Sequence, residues 1–214
     1  MTTSIVWFRN NLRLNDNVSL AEAVKYKACY PIYIFDDNQS RSIGKASAVW
    51  LYHALKSLAT DLNTNLSIFS GDTLTILSRL IQKNLINSLF FEQSYDLKTN
   101  KQDQKIIDTL KKYNCNSYPS NQQTLWDKEI KKDDGTPYKV FTPFYKKGNL
   151  IKKITKPIGI PILDSLKTFS ATKSIENSLP LPKQSWVNSI VKNWDISENG
   201  AQKRWKEFIN DGLN

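Results

Sequence analysis

Short apolar runs alternate with longer amphipathic stretches along the first 120 residues of the chain. The runs are rich in β-branched and aromatic side chains, which is typical of buried strands. They are Ser4–Phe8, Tyr30–Phe35, Leu66–Phe69, Ser88–Phe91 and Cys115–Tyr118. Between them, apolar residues recur at helical spacing and predict helices, the first with Asp16 or Asn17 as its cap. The predicted helices are Asn17–Tyr26, Gly44–Leu62, Asp72–Lys83 and Asn100–Tyr113.

This alternation predicts an α/β fold with a Rossmann-like, doubly wound, five-stranded parallel sheet covered by helices on both faces. If the strand order is 3-2-1-4-5, ligands bind beyond the carboxyl ends of the first and fourth strands, where the order reverses. Arg9–Arg13 and Glu92–Lys98 follow those two strands. No glycine-rich loop follows the first strand, so a nicotinamide or ATP site of the usual type is not expected.

The pattern changes after Pro119. Asp134-Gly135 predicts a turn between two short strand-like pieces, and Thr142 and Pro143 suit the N-cap and first position of a helix. Residues 158–185 are rich in proline, serine, lysine and asparagine, which is typical of an exposed linker. A helical pattern returns at Ser197. We therefore expect an α/β domain at 1–155, a linker at 156–196 and the start of a helical domain at 197–214.

The net charge of +10 matters mainly because of its distribution. The stretch Gly135–Leu163 holds six lysines and no acidic residue, so it could face a polyanion such as DNA. A solvated lysine-rich surface is the alternative interpretation. We expect at most weak nucleic-acid contact, and its candidate residues are Lys146, Lys147, Lys152 and Lys153.

Several other residues favour structural roles. Trp7 and Phe8 belong to a predicted central strand and are expected in the core. Cys29 and Cys115 have no metal-ligand spacing and are expected to be buried thiols of a cytoplasmic protein. The sequence has neither a secretory signal nor a membrane-length apolar segment. His53 is expected to be structural, no metal site is predicted, and Arg13 has Asp16 as a plausible ion-pair partner.

Two motifs resemble the photolyase/cryptochrome family. Residues 5–17, IVWFRNNLRLNDN, are similar to the family's opening W-F-R-x-D-L-R-x-x-D-N. Residues 134–144, DGTPYKVFTPF, match its D-G-x-P-Y-x-V-F-T-P-F signature almost completely. A weaker similarity, at residues 200–214, is to the helix that begins the family's flavin-binding domain.

The resemblance implies that this α/β domain holds a light-harvesting antenna chromophore. In the family, the antenna transfers energy to a reduced FAD in a helical domain, which donates an electron to a pyrimidine dimer flipped out of DNA. By position, the implied antenna crevice is lined by Arg9, Asn11, Phe35, Asp36, Asp37, Ser47, Glu92, Asp96, Lys98 and Thr99.

Two departures from the family pattern bear on the chromophore. Asn11 replaces the usual aspartate, and Lys98-Thr99 stands where folate-using members carry Asn-Glu. A deazaflavin, FMN or FAD is therefore expected rather than methenyltetrahydrofolate, and the absence of any antenna remains open.

The resemblance implies the N-terminal portion of a DNA photolyase that reverses cyclobutane pyrimidine dimers. Its implied partners are a missing C-terminal FAD domain and damaged DNA, with no membrane partner and a monomeric state. Because the FAD site lies in that missing domain, we expect no catalytic residue and no repair by this chain alone. The alternatives are a cryptochrome-type photoreceptor and a free-standing chromophore- or nucleotide-binding module.

Overall fold

Five parallel strands form one sheet in the order β3-β2-β1-β4-β5, as predicted. The computed structural model describes residues 2–36, 43–122, 124–126, 130–151, 156–170, 172–179, 181–182 and 186–212. The strands are β1 (Thr3–Phe8), β2 (Ala28–Phe35), β3 (Ser67–Ser70), β4 (Ser88–Glu92) and β5 (Asn116–Ser120). Each observed strand overlaps a predicted one, which confirms the predicted fold class.

The helices of the described residues are α1 (Val18–Ala23), α2 (Lys45–Asp61), α3 (Thr73–Asn84), α4 (Leu97–Lys111), α5 (Phe141–Ile151), α6 (Trp186–Asn193) and α7 (Glu198–Asp211). Short polar side chains begin three of the first four helices. Asn17, Asp72 and Asp96 each accept a hydrogen bond from the backbone N–H three residues further on. The Asp96 cap explains why α4 begins three residues before the predicted start.

Helices cover both faces of the sheet and enclose two hydrophobic layers. Leucines of α1 and α2 pack with Val6 and Phe8 on one face. Apolar residues of α3 and α4 pack with Trp7 and its neighbours on the other face. Cys29 and Cys115 are buried as free thiols in opposite layers, and burial raises the pKa of each to about 12. The predicted core positions of Trp7, Phe8 and both cysteines are confirmed.

Residues 165–169 pack against the sheet, although their composition predicts an exposed linker. The Cys29 N–H donates to the Ser165 carbonyl at 2.9 Å, and the Lys167 N–H donates to the Cys29 carbonyl at 2.8 Å. Phe169 is buried and stacks on Tyr30 with ring centroids 4.3 Å apart. This segment therefore covers the part of β2 that precedes the β3 pairing.

Other local predictions differ in their details. The Asp134-Gly135 turn forms, with Gly135 at a φ of +78° and an antiparallel bridge between Lys131 and Pro137. Helix α5 begins at Phe141 rather than after Thr142. Pro143 is therefore its third residue, where a backbone N–H has no partner within the helix.

Helix α6 lies inside the predicted linker, and the division into domains remains a prediction. Within the described ranges, no helix combines the length and apolarity that crossing a membrane requires.

The packing of Phe169 gives a first prediction. Phe169→Ala should lower the free energy of unfolding by about 3 kcal/mol, because it removes a buried ring that contacts Tyr30 and Phe69. Urea unfolding of the purified chain measures this change. Ile162→Ala is the control, since Ile162 is 78% exposed and its loss should change stability by less than about 0.5 kcal/mol. Equal effects of the two substitutions would show that residues 165–169 do not contribute to the folded core.

Candidate functional site

A cleft of about 1620 Å³ opens at the carboxyl ends of β1 and β2. It is larger than the roughly 300–1,000 Å³ of most small-molecule pockets, so it has room for a ligand of dinucleotide size. Its walls are the loop after β1, one face of α2, and the segment that leads into α7. Its main lining residues are Arg9, Asn11, Arg13, Tyr33, Phe35, Asp36, Ser47, Trp50, Leu51, Ala54, Trp194, Glu198, Arg204 and Trp205.

The loop after β1 is fixed by contacts with distant segments. Asp16 adopts a left-handed backbone conformation with a φ of 51°, which aspartate tolerates better than most residues. Its N–H donates to the Ile158 carbonyl at 2.9 Å, and the Gln122 side chain donates to its carbonyl at 2.8 Å. The Arg13 guanidinium donates to the same carbonyl and lies 3.5 Å from the Asp16 carboxylate, which confirms the predicted ion pair.

Helix α2 supplies the second wall through residues on one of its faces. Ser47, Trp50, Leu51 and Ala54 occupy positions i, i+3, i+4 and i+7 of the helix, so their side chains share one face. Sequence reasoning named Ser47 and missed the other three. The helical period, applied onward from Ser47, would have found them.

The third wall comes from the segment 194–205. The Glu198 carboxylate accepts hydrogen bonds from the Leu14 N–H at 2.6 Å and from the Asn15 N–H at 3.0 Å. These bonds join the first turn of α7 to the loop after β1. Trp194 packs edge to face on Trp50 of α2, with centroids 5.6 Å apart. Sequence reasoning missed this wall because it assigned these residues to a linker and to a separate domain.

Arg9 occupies the gap between β1 and β4, where the strand order reverses. Its guanidinium donates to both carboxylate oxygens of Asp103, at 3.0 and 2.9 Å, and to the Glu92 carbonyl at 3.2 Å. The Arg9 side chain is 13% exposed and that of Asp103 is 6% exposed. Burial raises the pKa of Asp103, and the neighbouring Arg9 opposes that rise without cancelling it. Because Arg9 occupies the gap, the open cleft lies towards β2 instead.

The predicted crevice residues fall into two groups. Arg9, Asn11, Phe35, Asp36 and Ser47 line the cleft. Asp36 accepts hydrogen bonds there from Thr73 at 2.6 Å and from Gln102 at 2.7 Å. The predicted residue Asp37 lies outside the described residues.

The four candidates at the end of β4 and beyond it, Glu92, Asp96, Lys98 and Thr99, do not line this cleft. Glu92 is buried at the end of β4, and Lys98 and Thr99 lie in the first turn of α4. Hydrogen bonds from Thr99 and from Ser94 lower the pKa of Asp96 to about 2. Its carboxylate therefore stays ionised at neutral pH as the cap of α4. A role in ligand binding for either group of candidates remains a prediction.

The remaining candidates lie elsewhere on the molecule. Lys146 is exposed on α5, whereas Lys147 forms an ion pair of 2.7 Å with Asp133. Lys152 and Lys153 lie outside the described residues. His53 packs against Tyr52, and partial burial and the nearby Lys56 lower its pKa. In the part of the chain that the structure describes, no three His, Cys, Asp or Glu side chains are grouped to hold a metal ion.

Comparison with known proteins identifies clear relatives. A family model described as DNA photolyase matches residues 4–159. The deoxyribodipyrimidine photo-lyase of Agrobacterium fabrum is 28% identical over 216 residues, covering 98% of this chain and 45% of that protein. Cryptochrome-1 of Anopheles gambiae is 27% identical over 197 residues, covering 85% of this chain and 36% of that protein. The chain thus spans less than half the length of these relatives.

Solved structures show the same fold. A bacterial class III photolyase from Agrobacterium tumefaciens superimposes with a TM-score of 0.88 at 28% identity, covering 100% of this chain and 45% of that one. An archaeal photolyase from Sulfolobus tokodaii, solved with two FAD molecules, superimposes with a TM-score of 0.71 at 20% identity. That match covers 82% of this chain and 40% of the archaeal one.

The buried Arg9–Asp103 pair gives a second prediction. Arg9→Gln should lower the free energy of unfolding at neutral pH by about 3 kcal/mol, because it leaves the Asp103 carboxylate buried without its cation. A carboxyl group whose pKa is higher in the folded state destabilises the fold increasingly as pH rises from its unfolded pKa to its folded pKa. Removing Arg9 raises the folded pKa of Asp103 further. The deficit of the variant should therefore be smaller near pH 4 than near pH 7, given an unfolded aspartate pKa of about 3.9.

Urea unfolding at several pH values measures this deficit. Lys25→Gln is the control, because Lys25 and Glu22 form an ion pair whose side chains are 64% and 48% exposed. Its loss should cost less than about 1 kcal/mol. A deficit of Arg9→Gln that does not change with pH would exclude the buried carboxylate as its cause.

Proposed function

This chain belongs to the DNA photolyase family, and we propose that it is the N-terminal, light-harvesting part of a photolyase that reverses cyclobutane pyrimidine dimers. The proposal for the whole protein rests on relatives more than twice as long as this chain. The dimer reversal requires a reduced FAD, which we assign to a C-terminal helical domain. We accordingly propose that these 214 residues do not carry out the reversal by themselves.

The cleft between β2, α2 and α7 is the observation that supports chromophore binding. Phe35 and Trp50 offer flat aromatic surface and Leu51 adds aliphatic surface, while Asn11 and Arg13 add polar groups at the loop after β1. Apolar and aromatic walls with a few convergent polar groups are typical of sites for aromatic ligands. These residues fit a flavin-like ring. When bound, such a chromophore would absorb light and transfer the excitation energy to the FAD.

The case against methenyltetrahydrofolate rests on the sequence, where Lys98-Thr99 replaces the Asn-Glu pair of folate-using members. Both residues lie on the first turn of α4, outside the cleft. The Sulfolobus tokodaii photolyase has a similar overall fold and was solved with two FAD molecules. Its structure is described as implying a novel light-harvesting cofactor. We therefore propose FMN, FAD or a deazaflavin as the antenna.

Exposed apolar faces on α5 and α7 support a contact with a further domain. Phe141 and Leu150 of α5 are 70% and 84% exposed, and Trp205 and Phe208 of α7 are 62% and 51% exposed. Large apolar patches on a soluble protein usually mark an interaction surface. We propose that an FAD-binding domain covers them in a monomeric, cytoplasmic protein.

A cryptochrome-type photoreceptor is the second candidate function. The similarity to cryptochrome-1 of Anopheles gambiae favours it, and its identity of 27% is close to that of the Agrobacterium photo-lyase. The photo-lyase match, however, extends over 98% of this chain rather than 85%. Dimer reversal by the longer protein would separate the two functions.

Chromophore binding gives a third prediction. Titration of the chain with FMN, FAD, a deazaflavin and methenyltetrahydrofolate should show a saturable change in fluorescence for at least one flavin-type ligand and none for the folate. Ala54→Trp should abolish that change, because Ala54 lines the cleft and a large ring there fills it. Thr60→Trp is the matched control, since Thr60 is exposed on α2 outside the cleft. Binding that Ala54→Trp leaves intact would place the ligand elsewhere.

Contact with DNA gives a fourth prediction. The chain should bind a dimer-containing duplex with a Kd no tighter than about 1 µM, and the affinity should fall steeply as salt rises. Lys146→Glu should weaken binding several-fold, because Lys146 is exposed and has no acidic partner among the described residues. Lys83→Glu, an equal charge change at the exposed end of α3, is the control. Tight binding that persists at high salt, or loss of the dimers under blue light, would contradict the proposal.

A further inference from the structure

We propose that the cleft selects a flavin that carries a phosphate group, and that Arg204 is the residue that binds this phosphate. The inference rests on the proposed function, since it assumes that a flavin-type ligand occupies the cleft. It goes further because it predicts that the cleft binds FMN and FAD more tightly than riboflavin or deazaflavins that lack a phosphate group. Three observations support it: a row of planar side chains, the pairing of the charges in the cleft, and the fixed position of α7.

Planar side chains form a row from α2 to α7 at the cleft. Trp50 of α2 contacts Trp194 edge to face, with ring centroids 5.6 Å apart. The Arg204 guanidinium lies over the Trp194 ring, with its Cζ atom 4.4 Å from the ring centroid. Trp50 and Trp194 are 42% and 47% exposed, which is high for tryptophan. Exposed indole faces at a cleft provide a surface on which a ligand ring can stack.

The charges that line the cleft are nearly all paired within the protein. Arg9 is paired with Asp103 and Arg13 with Asp16. Asp36 and Glu198 accept hydrogen bonds from side-chain and backbone donors respectively. Asp195 accepts a hydrogen bond from the Ser197 hydroxyl at 2.6 Å.

Arg204 differs from these residues. Among the residues that the structure describes, no carboxylate lies within ion-pair distance of its guanidinium. A guanidinium that lies over an aromatic ring still directs its five N–H donors outward in its own plane. Those donors match the oxygens of a phosphate, which they bind in a bidentate manner. Arg204 is therefore equipped to bind an anion at the cleft.

The structure fixes Arg204 at this place through the first turn of α7. The Ser197 hydroxyl caps the helix by accepting from the Gly200 N–H at 2.9 Å. Glu198 holds the Leu14 and Asn15 amides, so the helix start is joined to the loop after β1. Any side chain at position 200 would collide with the Asp195 backbone, which shows how closely α7 approaches the preceding segment. Arg204 follows one turn later and so lies beside Trp194.

The test compares FMN with riboflavin, which has the same ring system without the phosphate. The unmodified chain should bind FMN about tenfold more tightly than riboflavin, as one charge-assisted phosphate contact implies. In Arg204→Gln, FMN affinity should fall to that of riboflavin while riboflavin affinity stays unchanged. Lys206→Gln is the matched control, because it removes an equal charge from α7 at a position outside the cleft.

Two further measurements identify the phosphate contact. Inorganic phosphate should compete with FMN and leave riboflavin binding unaffected. Arg204→Lys should recover part of the preference for FMN, because it keeps the charge and loses the planar stacking on Trp194. Unchanged thermal unfolding of the variants shows that α7 remains folded.

The outcomes separate this inference from the proposed function. Equal binding of FMN and riboflavin by the unmodified chain, or a preference for FMN that survives Arg204→Gln, overturns the role of Arg204 and leaves chromophore binding intact. If no flavin binds, the proposed occupant of the cleft is wrong and this inference fails with it.

Discussion

The buried ion pair between Arg9 and Asp103 determines where this molecule has room for a ligand. In a doubly wound sheet the expected binding place is the gap between the two central strands at which the order reverses. Here the Arg9 side chain spans that gap from β1 to the Glu92 carbonyl of β4 and to α4. Desolvating two charges is costly, and the pair offsets part of that cost through close hydrogen bonds and the contact of Arg9 with the Trp7 ring at 4.5 Å.

The cleft that remains is built from segments far apart in the sequence. The α/β sheet provides its floor and α2 provides one wall, but the opposite wall belongs to residues 194–205. The cleft therefore depends on two structural units at once. The Glu198 bonds to the Leu14 and Asn15 amides are the direct link between those units, and Trp194 against Trp50 is the second. If the cleft holds the proposed chromophore, light harvesting depends on the way the C-terminal segment packs on the sheet.

The sequence predicted the sheet well because strand and helix periodicities in the first 120 residues are strong and consistent with one another. Asn17 as a cap, the Asp134-Gly135 turn and the Arg13–Asp16 pair depend on neighbours only a few residues away, and all three are present. The packing of Leu166 and Phe169 was missed because two apolar side chains in a polar, proline-rich stretch give no periodic signal.

The site was harder to predict than the fold. Topology alone places ligands at the reversal of strand order, but it does not say whether a side chain already occupies that gap. Trp50 and Ala54 were within reach of the helical period that begins at Ser47. The positions of Trp194 and Arg204 at the cleft could not be predicted in this way, because they depend on how a distant segment folds back on the sheet.

The contacts of the loop after β1 also constrain the order in which the molecule is completed. Leu14 leaves the ribosome long before Glu198, yet its N–H is bonded to the Glu198 carboxylate, 184 positions later in the chain. Gln122 and Ile158, which hold Asp16, are likewise synthesised long after it. Contacts of such long sequence separation form late, since the intervening chain must first be ordered. The nascent sheet can thus assemble during translation, while the cleft beside it stays unfinished until Glu198 and the start of α7 have emerged.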